Sequence, residues 1–199
     1  MKTGEYKTPD INPNEAFKLK SKKLDFNITD FWKWTLSDLV ENRNRGILAE
    51  FIVKEALQIK SSSRIEWDSY DFETVKGVRI EVKSSAYIQS WKQNEYSTIS
   101  FNIKPTHKYT GNNQFSEDKK RQSDVYIFCI LAHQNFNTIN PMCLEQWEFY
   151  MIKTKTLDKE LKEQQTIRIS TLEIIGAIKC DYNNLKKEFD KLEQELSIN

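Results

Sequence analysis

The sequence predicts an α/β or α+β domain in which helices cover one β-sheet, and three segments support this prediction. "DVYIFCILA", residues 124–132, is an almost unbroken apolar run, as expected of a central strand that is buried on both faces. "VRIEVKSSAYI", residues 78–88, alternates apolar with polar side chains, which is typical of a strand with one buried face. "RGILAEFIVKEAL", residues 45–57, is the strongest helical segment, and "SSSR" ends it because serines favour turns and caps.

Composition and charge limit the class of protein. The 199 residues suffice for one domain, 30% of them are charged, and the mean hydropathy of −0.69 is typical of a soluble globular chain. The net charge of +1 gives no overall basic field, so a nucleic-acid partner has to be bound by a local patch. The three cysteines form no CxxC pair and predict neither a disulfide framework nor a zinc cluster. Without a signal peptide or a membrane-spanning run, we expect a cytoplasmic protein with no membrane partner.

Three segments of the chain differ in character. Residues 1–24 are polar and rich in Lys, Asn and Pro, so we expect a mobile N-terminal arm. Residues 25–180 carry the helix and strand patterns and form the predicted main domain. Residues 181–199 predict an amphipathic helix packed on that domain, with a dimer seam as the alternative. The apolar stripe of this helix consists of Leu185, Phe189, Leu192 and Leu196.

A β-hairpin is predicted where "IEWDSYDFET" and "VRIEVKSSAYI" are joined through "VKG", a glycine-containing turn. Because side chains alternate along a strand, the apolar residues of both runs define one face of the hairpin. This face is predicted to lie on the core and to hold Tyr70, Phe72, Ile80 and Val82.

The opposite face of the predicted hairpin brings two carboxylates together. Asp71 and Glu81 emerge there with Lys83 alongside, whereas Asp68 shares the parity of the apolar residues and is the weaker partner. Two close carboxylates repel each other unless a cation lies between them, and a hard ion such as Mg²⁺ prefers oxygen ligands. The alternative is an ordinary strand with a solvated, charged face.

Glu50 lies on a largely apolar flank of the predicted helix, beside Ile47 and Val53. An isolated carboxylate is unfavourable there unless it is paired or binds a metal. Glu50 is therefore either a third oxygen ligand directed at the hairpin or a member of a salt bridge. The candidate salt-bridge partners are Arg43, Arg45 and Lys54.

The order of a helical Glu, then an Asp, then Glu-x-Lys in the following strand resembles the PD-(D/E)xK nuclease superfamily. "RGILAEFIVKEAL", "YDFETVKGVRIEVKSS" and "SDVYIFCIL" follow the order expected of it, over roughly residues 40–155. One departure is that Tyr70, and not the nominal proline, precedes Asp71. The resemblance implies an α/β fold with a restriction-endonuclease-like mixed β-sheet flanked by helices, and it makes residues 25–180 the nuclease-like domain.

The same resemblance implies a metal-dependent endonuclease that hydrolyses DNA phosphodiester bonds, with a restriction-type enzyme as the leading subtype. Asp71 and Glu81 would be the principal ligands of Mg²⁺, for which Mn²⁺ substitutes, and the main-chain carbonyl of Val82 a further ligand. Glu50 would hold the metal directly or through water. Lys83 would orient or help to deprotonate the attacking water. Asp71, Glu81, Lys83 and Glu50 are thus the candidate catalytic residues.

A polar segment, residues 104–123, is predicted to be a loop and carries five candidates for contacts to DNA phosphates. The alternative is a hydrophilic surface loop, since Glu117 and Asp118 dilute its positive charge. The five candidates are Lys104, Lys108, Lys119, Lys120 and Arg121.

Two other functions stay open on the sequence alone. One is a non-catalytic protein that binds nucleic acid or a partner on the same scaffold. The other is an unrelated α/β interaction domain, in which Glu50, Asp71 and Glu81 do not converge. For an active nuclease we consider two arrangements. One is a homodimer, because two active sites can cut both strands of a duplex, and the other is an enzyme that works with a methyltransferase or helicase partner.

Overall fold

The computed structural model of the protein describes residues 8–60, 69–111 and 114–197. The chain forms two compact units, Met1–Leu39 and Val40–Asn199. Asp68 and much of the predicted strand "IEWDSYDFET" lie outside the described residues. Across the described part of the chain, no helix has the length and apolar character that crossing a bilayer requires.

The first unit contains a β-hairpin followed by a helix. Strands β1 (Ala16–Leu19) and β2 (Lys22–Asn27) pair antiparallel, and helix α1 (Ile28–Leu36) follows. Asn27 and Asp30 form a capping box, in which each side chain accepts a hydrogen bond from the backbone N–H of the other residue. The hairpin lies partly in the segment for which the sequence predicts a mobile arm. Most residues of its two strands are exposed, so the sequence shows no alternation of apolar and polar residues that would predict them.

The second unit contains nine described strands and four described α-helices. The strands are β3 (Phe72–Glu73), β4 (Arg79–Ala86), β5 (Ser100–Asn102), β6 (Thr106–Gly111), β7 (Gln114–Lys120), β8 (Val125–Leu131), β9 (Trp147–Lys153), β10 (Thr166–Arg168) and β11 (Ile178–Cys180). The helices are α2 (Asn42–Leu57), α3 (Thr154–Leu161), α4 (Ile169–Ile174) and α5 (Tyr182–Ser197), and a 3₁₀ turn covers Leu144–Gln146.

Five of the described strands form the central sheet, in the order β11-β9-β8-β4-β3. Strands β4 and β8 are parallel, and the other neighbours are antiparallel. Strand β8 lies in the middle and all seven of its residues are buried, which confirms the prediction of a central strand. The protein is therefore an α/β protein with a mixed sheet and flanking helices, as the sequence predicted.

Apolar side chains cover both faces of this sheet. Successive residues of β8 point to opposite faces, so Ile127 and Cys129 lie in a first core, whereas Phe128 and Ile130 lie in a second. Helices α2 and α5 close the first core. The strand pair β5–β10, with α3 and α4, closes the second.

The C-terminal stripe packs on the first core. Leu185, Phe189 and Leu192 are buried in α5, and Leu196 is partly buried against them. Complete burial of an apolar side chain of this size stabilises a fold by about 1.5–3 kcal/mol. Packing of the stripe therefore holds α5 against α2 and β9.

Residues 104–123 contain a two-stranded ribbon, where the sequence predicts a loop. Strands β6 and β7 pair antiparallel, with Tyr109 opposite Phe115, and the register shifts twice along the pair. The prediction of a loop was wrong because the described residues of this ribbon lie outside both apolar cores and need no apolar alternation.

Candidate active site

The predicted hairpin forms, and it sets the positions of the candidate residues. Strand β3 pairs antiparallel with β4, with Phe72 opposite Ile80, and the Asp71 N–H donates to the Ile80 carbonyl at 2.9 Å. Phe72, Ile80 and Val82 are buried in the first core. The turn between the strands includes Gly77 at a φ of 81°, a conformation that favours glycine. Asp71 is thereby fixed at the edge of β4.

The Asp71 carboxylate is held by the backbone of the neighbouring strand. Its Oδ2 accepts the N–H of Val82 at 2.7 Å. A strand residue directs its N–H and its C=O toward the same edge of the strand, so the Val82 carbonyl also faces the edge where Asp71 lies. The Asp71 carboxylate and the Val82 carbonyl, both predicted as metal ligands, are therefore on one side of β4.

Glu81 and Lys83 project from the face of β4 opposite to Ile80. Their side chains form an ion pair and remain 18% and 32% exposed, respectively. In the parallel ladder with β8, Glu81 lies opposite Tyr126, which is buried in the second core. The Glu81–Lys83 pair therefore lies at the boundary between core and solvent, where a substrate has access to it.

Asp71 interacts electrostatically with Glu81 and with Glu50, although the three residues come from separate parts of the chain. Burial, followed by the charges of Glu81 and Glu50, raises the pKa of Asp71 to about 7. The Val82 N–H and the Lys83 ammonium group oppose this rise without cancelling it. Asp71 is thus near enough to Glu81 and to Glu50 for their charges to act on it, and Lys83 pairs with Glu81.

Helix α2 carries Glu50 next to the hairpin. The helix packs on β4 through buried residues of the first core. Two of the salt-bridge partners considered for Glu50 make other contacts. Lys54 pairs with Glu55 at 2.8 Å, and Arg45 donates to groups around the start of α2 and on β4.

Arg45 fixes α2 on β4, and sequence reasoning missed this role. Its side chain is buried and donates to Ser84 Oγ at 3.2 Å, to Gln89 Oε1 at 3.2 Å and to the Val40 carbonyl at 2.8 Å. Burial lowers the pKa of Arg45 to about 10. Arginine is mostly exposed in proteins, and no local pattern marks an exception whose acceptors lie up to 44 residues away.

The donor atoms of this cluster fit a hard divalent cation. They are carboxylate and carbonyl oxygens, which Mg²⁺ and Mn²⁺ accept, and a cation beside Asp71 would oppose the burial and the neighbouring charges that raise its pKa. In the part of the chain that the structure describes, no group of three or more His, Cys, Asp or Glu side chains is already arranged to hold a metal ion. Lys83 engages one oxygen of Glu81, which leaves the other carboxylate oxygen for a metal ion.

Four of the five residues predicted to contact DNA are exposed on or next to the β6–β7 ribbon. Lys104 precedes β6, Lys108 lies on β6, and Lys119 and Lys120 end β7. Aromatic rings accompany these lysines, since Tyr109 and Phe115 form a cross-strand pair with centroids 5.5 Å apart. The ribbon thus presents both positive charge and aromatic surface to the solvent.

Arg121, the fifth of these residues, is buried at the base of the ribbon and is not available to DNA. It is 6% exposed, donates to the Ile103 carbonyl at 2.8 Å and pairs with Asp158 at 2.6 Å. The adjacent Gln122 is also buried and donates to the Thr106 carbonyl at 2.9 Å. These two side chains attach the ends of both ribbon strands to the core.

The mixed sheet carries Asp71, Glu81 and Lys83 on and next to β4, and these are residue types that a nuclease uses. Residues 1–171 match the family model of bacteriophage T4 endonuclease IV. The chain belongs to this family and is an endonuclease that cleaves DNA. A search of curated proteins found no match to the chain.

Proposed function

We propose that the protein is a Mg²⁺-dependent endodeoxyribonuclease of the PD-(D/E)xK type and a restriction-type enzyme. The observation that carries this proposal is the position of Asp71 at the edge of β4. Its carboxylate accepts the Val82 N–H and interacts with the charges of Glu81 and Glu50, while Lys83 pairs with Glu81. A non-catalytic scaffold gains nothing from Asp71 at this position, because burial and the charges of Glu81 and Glu50 oppose its ionisation and lower the stability of the fold.

Oxygen atoms of the site would hold the metal. The carboxylates of Asp71 and Glu81 would be the principal ligands, and the Val82 carbonyl, which faces the same edge as Asp71, a further one. Glu50 would bind directly or through a water molecule, and Mn²⁺ would substitute for Mg²⁺ because both accept oxygen ligands. When bound, the metal lowers the pKa of water and neutralises charge that develops on the phosphate.

Lys83 acts on the water and on the phosphate. Its ion pair with Glu81 fixes the ammonium group, while the exposure of its side chain gives access to DNA. Lys83 orients the attacking water and offsets negative charge on the phosphate. The water oxygen bonds to phosphorus as the P–O3′ bond breaks. By similarity to the superfamily, the products carry a 5′-phosphate and a 3′-hydroxyl.

The β6–β7 ribbon is the proposed DNA-contacting surface. The chain has a net charge of only +1, so a local set of cations has to bind the backbone. Lys108, Lys119 and Lys120 are exposed on the ribbon. A two-stranded β-ribbon fits the major groove of B-DNA, where a restriction-type enzyme reads its site.

A cleavage assay tests this proposal. Supercoiled and linear DNA are incubated with Mg²⁺, Mn²⁺ or EDTA and with wild type, Lys83→Ala or Asp71→Ala. The matched control is Lys187→Ala, which removes an equal charge from an exposed position on α5. We expect metal-dependent cleavage that falls by at least about 10²-fold in both site variants, with unchanged circular dichroism, because general acid–base groups contribute about 10²–10⁴-fold.

The outcomes distinguish the parts of the proposal. Discrete fragments support a restriction-type enzyme, and breaks in both strands at one site favour a homodimer with two active sites. A continuous smear contradicts restriction-type specificity. Cleavage in EDTA contradicts metal dependence. Cleavage by Lys83→Ala at the wild-type rate contradicts the assignment of the active site. If the wild type cleaves DNA with neither metal, the result favours the non-catalytic scaffold or an enzyme that needs a methyltransferase or helicase partner.

A further inference from the structure

A small cavity lies at the end of the central sheet, beside the start of β4. Its volume is about 180 Å³. Its walls come from the first residue of β4, Arg79, from Ser123 and Asp124 before β8, and from Thr154 and Lys155 at the start of α3. Three elements of the second unit therefore converge on this cavity.

Helix α3 begins at the cavity without a side-chain cap. The Thr154 N–H donates to the Asp124 carbonyl at 2.9 Å. The next two amides of the first turn, those of Lys155 and Thr156, have no acceptor within the helix. The N-terminus of a helix carries partial positive charge and attracts anions, so these amides favour an anionic ligand.

A buried hydroxyl independently indicates a missing ligand. Thr154 is 6% exposed and lines the cavity, and its Oγ1 has no hydrogen-bond partner among the described residues. Buried hydroxyls are normally hydrogen-bonded, because an unpaired one is unfavourable. Ser123 is also buried and brings a second hydroxyl to the cavity wall, near the phenol of Tyr126. The cavity therefore contains the polar groups that an oxyanion needs.

The charged side chains around the cavity leave a surplus of positive charge. Arg79 pairs with Asp124 at 2.6 Å, and Arg121 pairs with Asp158 at 2.6 Å, so these four groups offset one another. Lys155 is exposed, and no ion pair of Lys155 occurs in the described part of the chain. An anion in the cavity thus meets one uncompensated ammonium group in addition to the helix amides.

We propose that the cavity binds a phosphate of the DNA backbone, adjacent to the phosphodiester that is cleaved between Asp71 and Glu81. This inference rests on the proposed function. Arg79 and Glu81 are two residues apart on one face of β4, a distance of about 6.6 Å, which neighbouring phosphates of one DNA strand can bridge. Tyr126 lies opposite Glu81 in the β4–β8 ladder and two residues after Asp124, which lines the cavity, so the start of β8 runs from the cavity to Glu81. The cavity positions the DNA strand over the active site.

Binding of inorganic phosphate to the intact protein tests the cavity without reference to cleavage. In ¹⁵N–¹H NMR spectra recorded in EDTA, we expect saturable phosphate-dependent shifts of the Lys155, Thr156 and Ser123 amides, against chloride at equal ionic strength. Thr154→Val keeps the shape of the side chain and removes the hydroxyl, and Lys155→Gln removes the charge. Both variants are expected to lose most of these shifts, whereas Lys187→Gln on α5 keeps them.

Binding and cleavage of DNA test whether the anion belongs to the backbone. In a Lys83→Ala background, Lys155→Gln should make the negative slope of log K for DNA binding against log salt shallower by about 0.7–0.9, as expected for one lost phosphate contact. With Lys83 present, Thr154→Val should raise KM about tenfold at unchanged kcat, since the loss of one hydrogen bond weakens binding by about that factor. Its melting temperature should not fall, which separates a lost contact from a damaged fold.

Each outcome has one consequence. If phosphate causes no saturable shifts and both Thr154→Val and Lys155→Gln have the wild-type KM, the proposal that the cavity binds phosphate is overturned, even if the wild type cleaves DNA. Phosphate shifts with unchanged DNA affinity overturn the assignment to the DNA backbone and leave a site for a free anion. Phosphate shifts and altered DNA affinity in a protein that cleaves nothing support the cavity, while they contradict the proposed function.

Discussion

Asp71 holds a carboxyl group where burial and two neighbouring carboxylates oppose its ionisation. The Val82 N–H offers partial compensation through a 2.7 Å hydrogen bond. A residue held in this way lowers the stability of the metal-free fold, as is common where a site is prepared for a ligand. The stability of the protein should therefore depend on pH through this residue.

We expect the free energy of unfolding in EDTA to fall as pH rises from about 4 to about 7. The pKa of Asp71 is about 7 in the folded protein, whereas an unfolded Asp has a pKa of about 3.9. Between these values the folded state binds more protons, so Asp71 favours folding at low pH and disfavours it once ionised. Asp71→Asn should remove this dependence and raise the free energy of unfolding above pH 7 by on the order of 1–3 kcal/mol.

Urea unfolding at four pH values between 5 and 8 measures this difference. Glu163→Gln is the control, because it removes a carboxylate from an exposed position on the chain. A pH dependence that is the same in Asp71→Asn and wild type would show that Asp71 ionises normally in the folded protein.

At the residue scale, strand parity predicts the hairpin and the burial of Phe72, Ile80 and Val82, because two alternating runs joined by a short turn leave one arrangement with both apolar faces on the core. The buried arginines were beyond such reasoning. Arg45 and Arg121 take their acceptors from distant parts of the chain, and nothing local distinguishes them from exposed arginines. The burial of Arg121 contradicts its prediction as a DNA contact alongside the four candidate lysines.

At the scale of elements, the β6–β7 ribbon differs from the central sheet in the interactions that attach it to the rest of the protein. Its cross-strand ring pair, Tyr109 and Phe115, is solvent-exposed, and its fixed points are the buried polar side chains of Arg121 and Gln122 at its base. A surface attached in this way keeps its orientation while its outer residues remain available to DNA.

Replacing Lys108, Lys119 and Lys120 together by Gln should weaken DNA binding. The negative slope of log K for DNA binding against log salt should become shallower by up to about 2.7, because each lost phosphate contact contributes about 0.9 for B-DNA. Fluorescence anisotropy across a salt series in a Lys83→Ala background provides the measurement. The same exchange at Lys159, Lys187 and Lys191 on α3 and α5 is the charge-matched control. Equal slopes for both triple variants would exclude the ribbon as the DNA-contacting surface.

The sequence predicted the elements that join a core and missed those that do not. Strand β8 was evident because all seven of its residues are apolar and buried, and α5 because its stripe packs on the first core. The ribbon and the β1–β2 hairpin have mostly exposed residues, so hydrophobic periodicity carries no information about them.

At the scale of the whole molecule, both apolar cores are built from residues of the second unit alone. In the first unit, α1 contains no buried residue. A stretch of chain that contains its own core satisfies the main condition for independent folding.

We therefore expect residues 40–199, expressed without residues 1–39, to unfold in a single cooperative transition. Fluorescence and circular dichroism during urea unfolding should give the same midpoint. Phe189→Ala in this fragment should lower its free energy of unfolding by about 3–5 kcal/mol, which shows that the transition reports the first core. Non-coincident transitions, or a fragment without near-ultraviolet circular dichroism, would contradict independent folding.

The parallel pairing of β4 with β8 also determines how the chain reaches its fold. Residues 87–124 lie between these two strands, so their contact closes late compared with the local β3–β4 hairpin. Until then the edge of "VYIFCIL" that pairs with β4 is open, and an uncharged β-prone segment of this kind self-associates. The yield of refolded protein should therefore drop as the protein concentration during refolding rises. The strand at the centre of the native sheet is thus also a segment that promotes aggregation during folding.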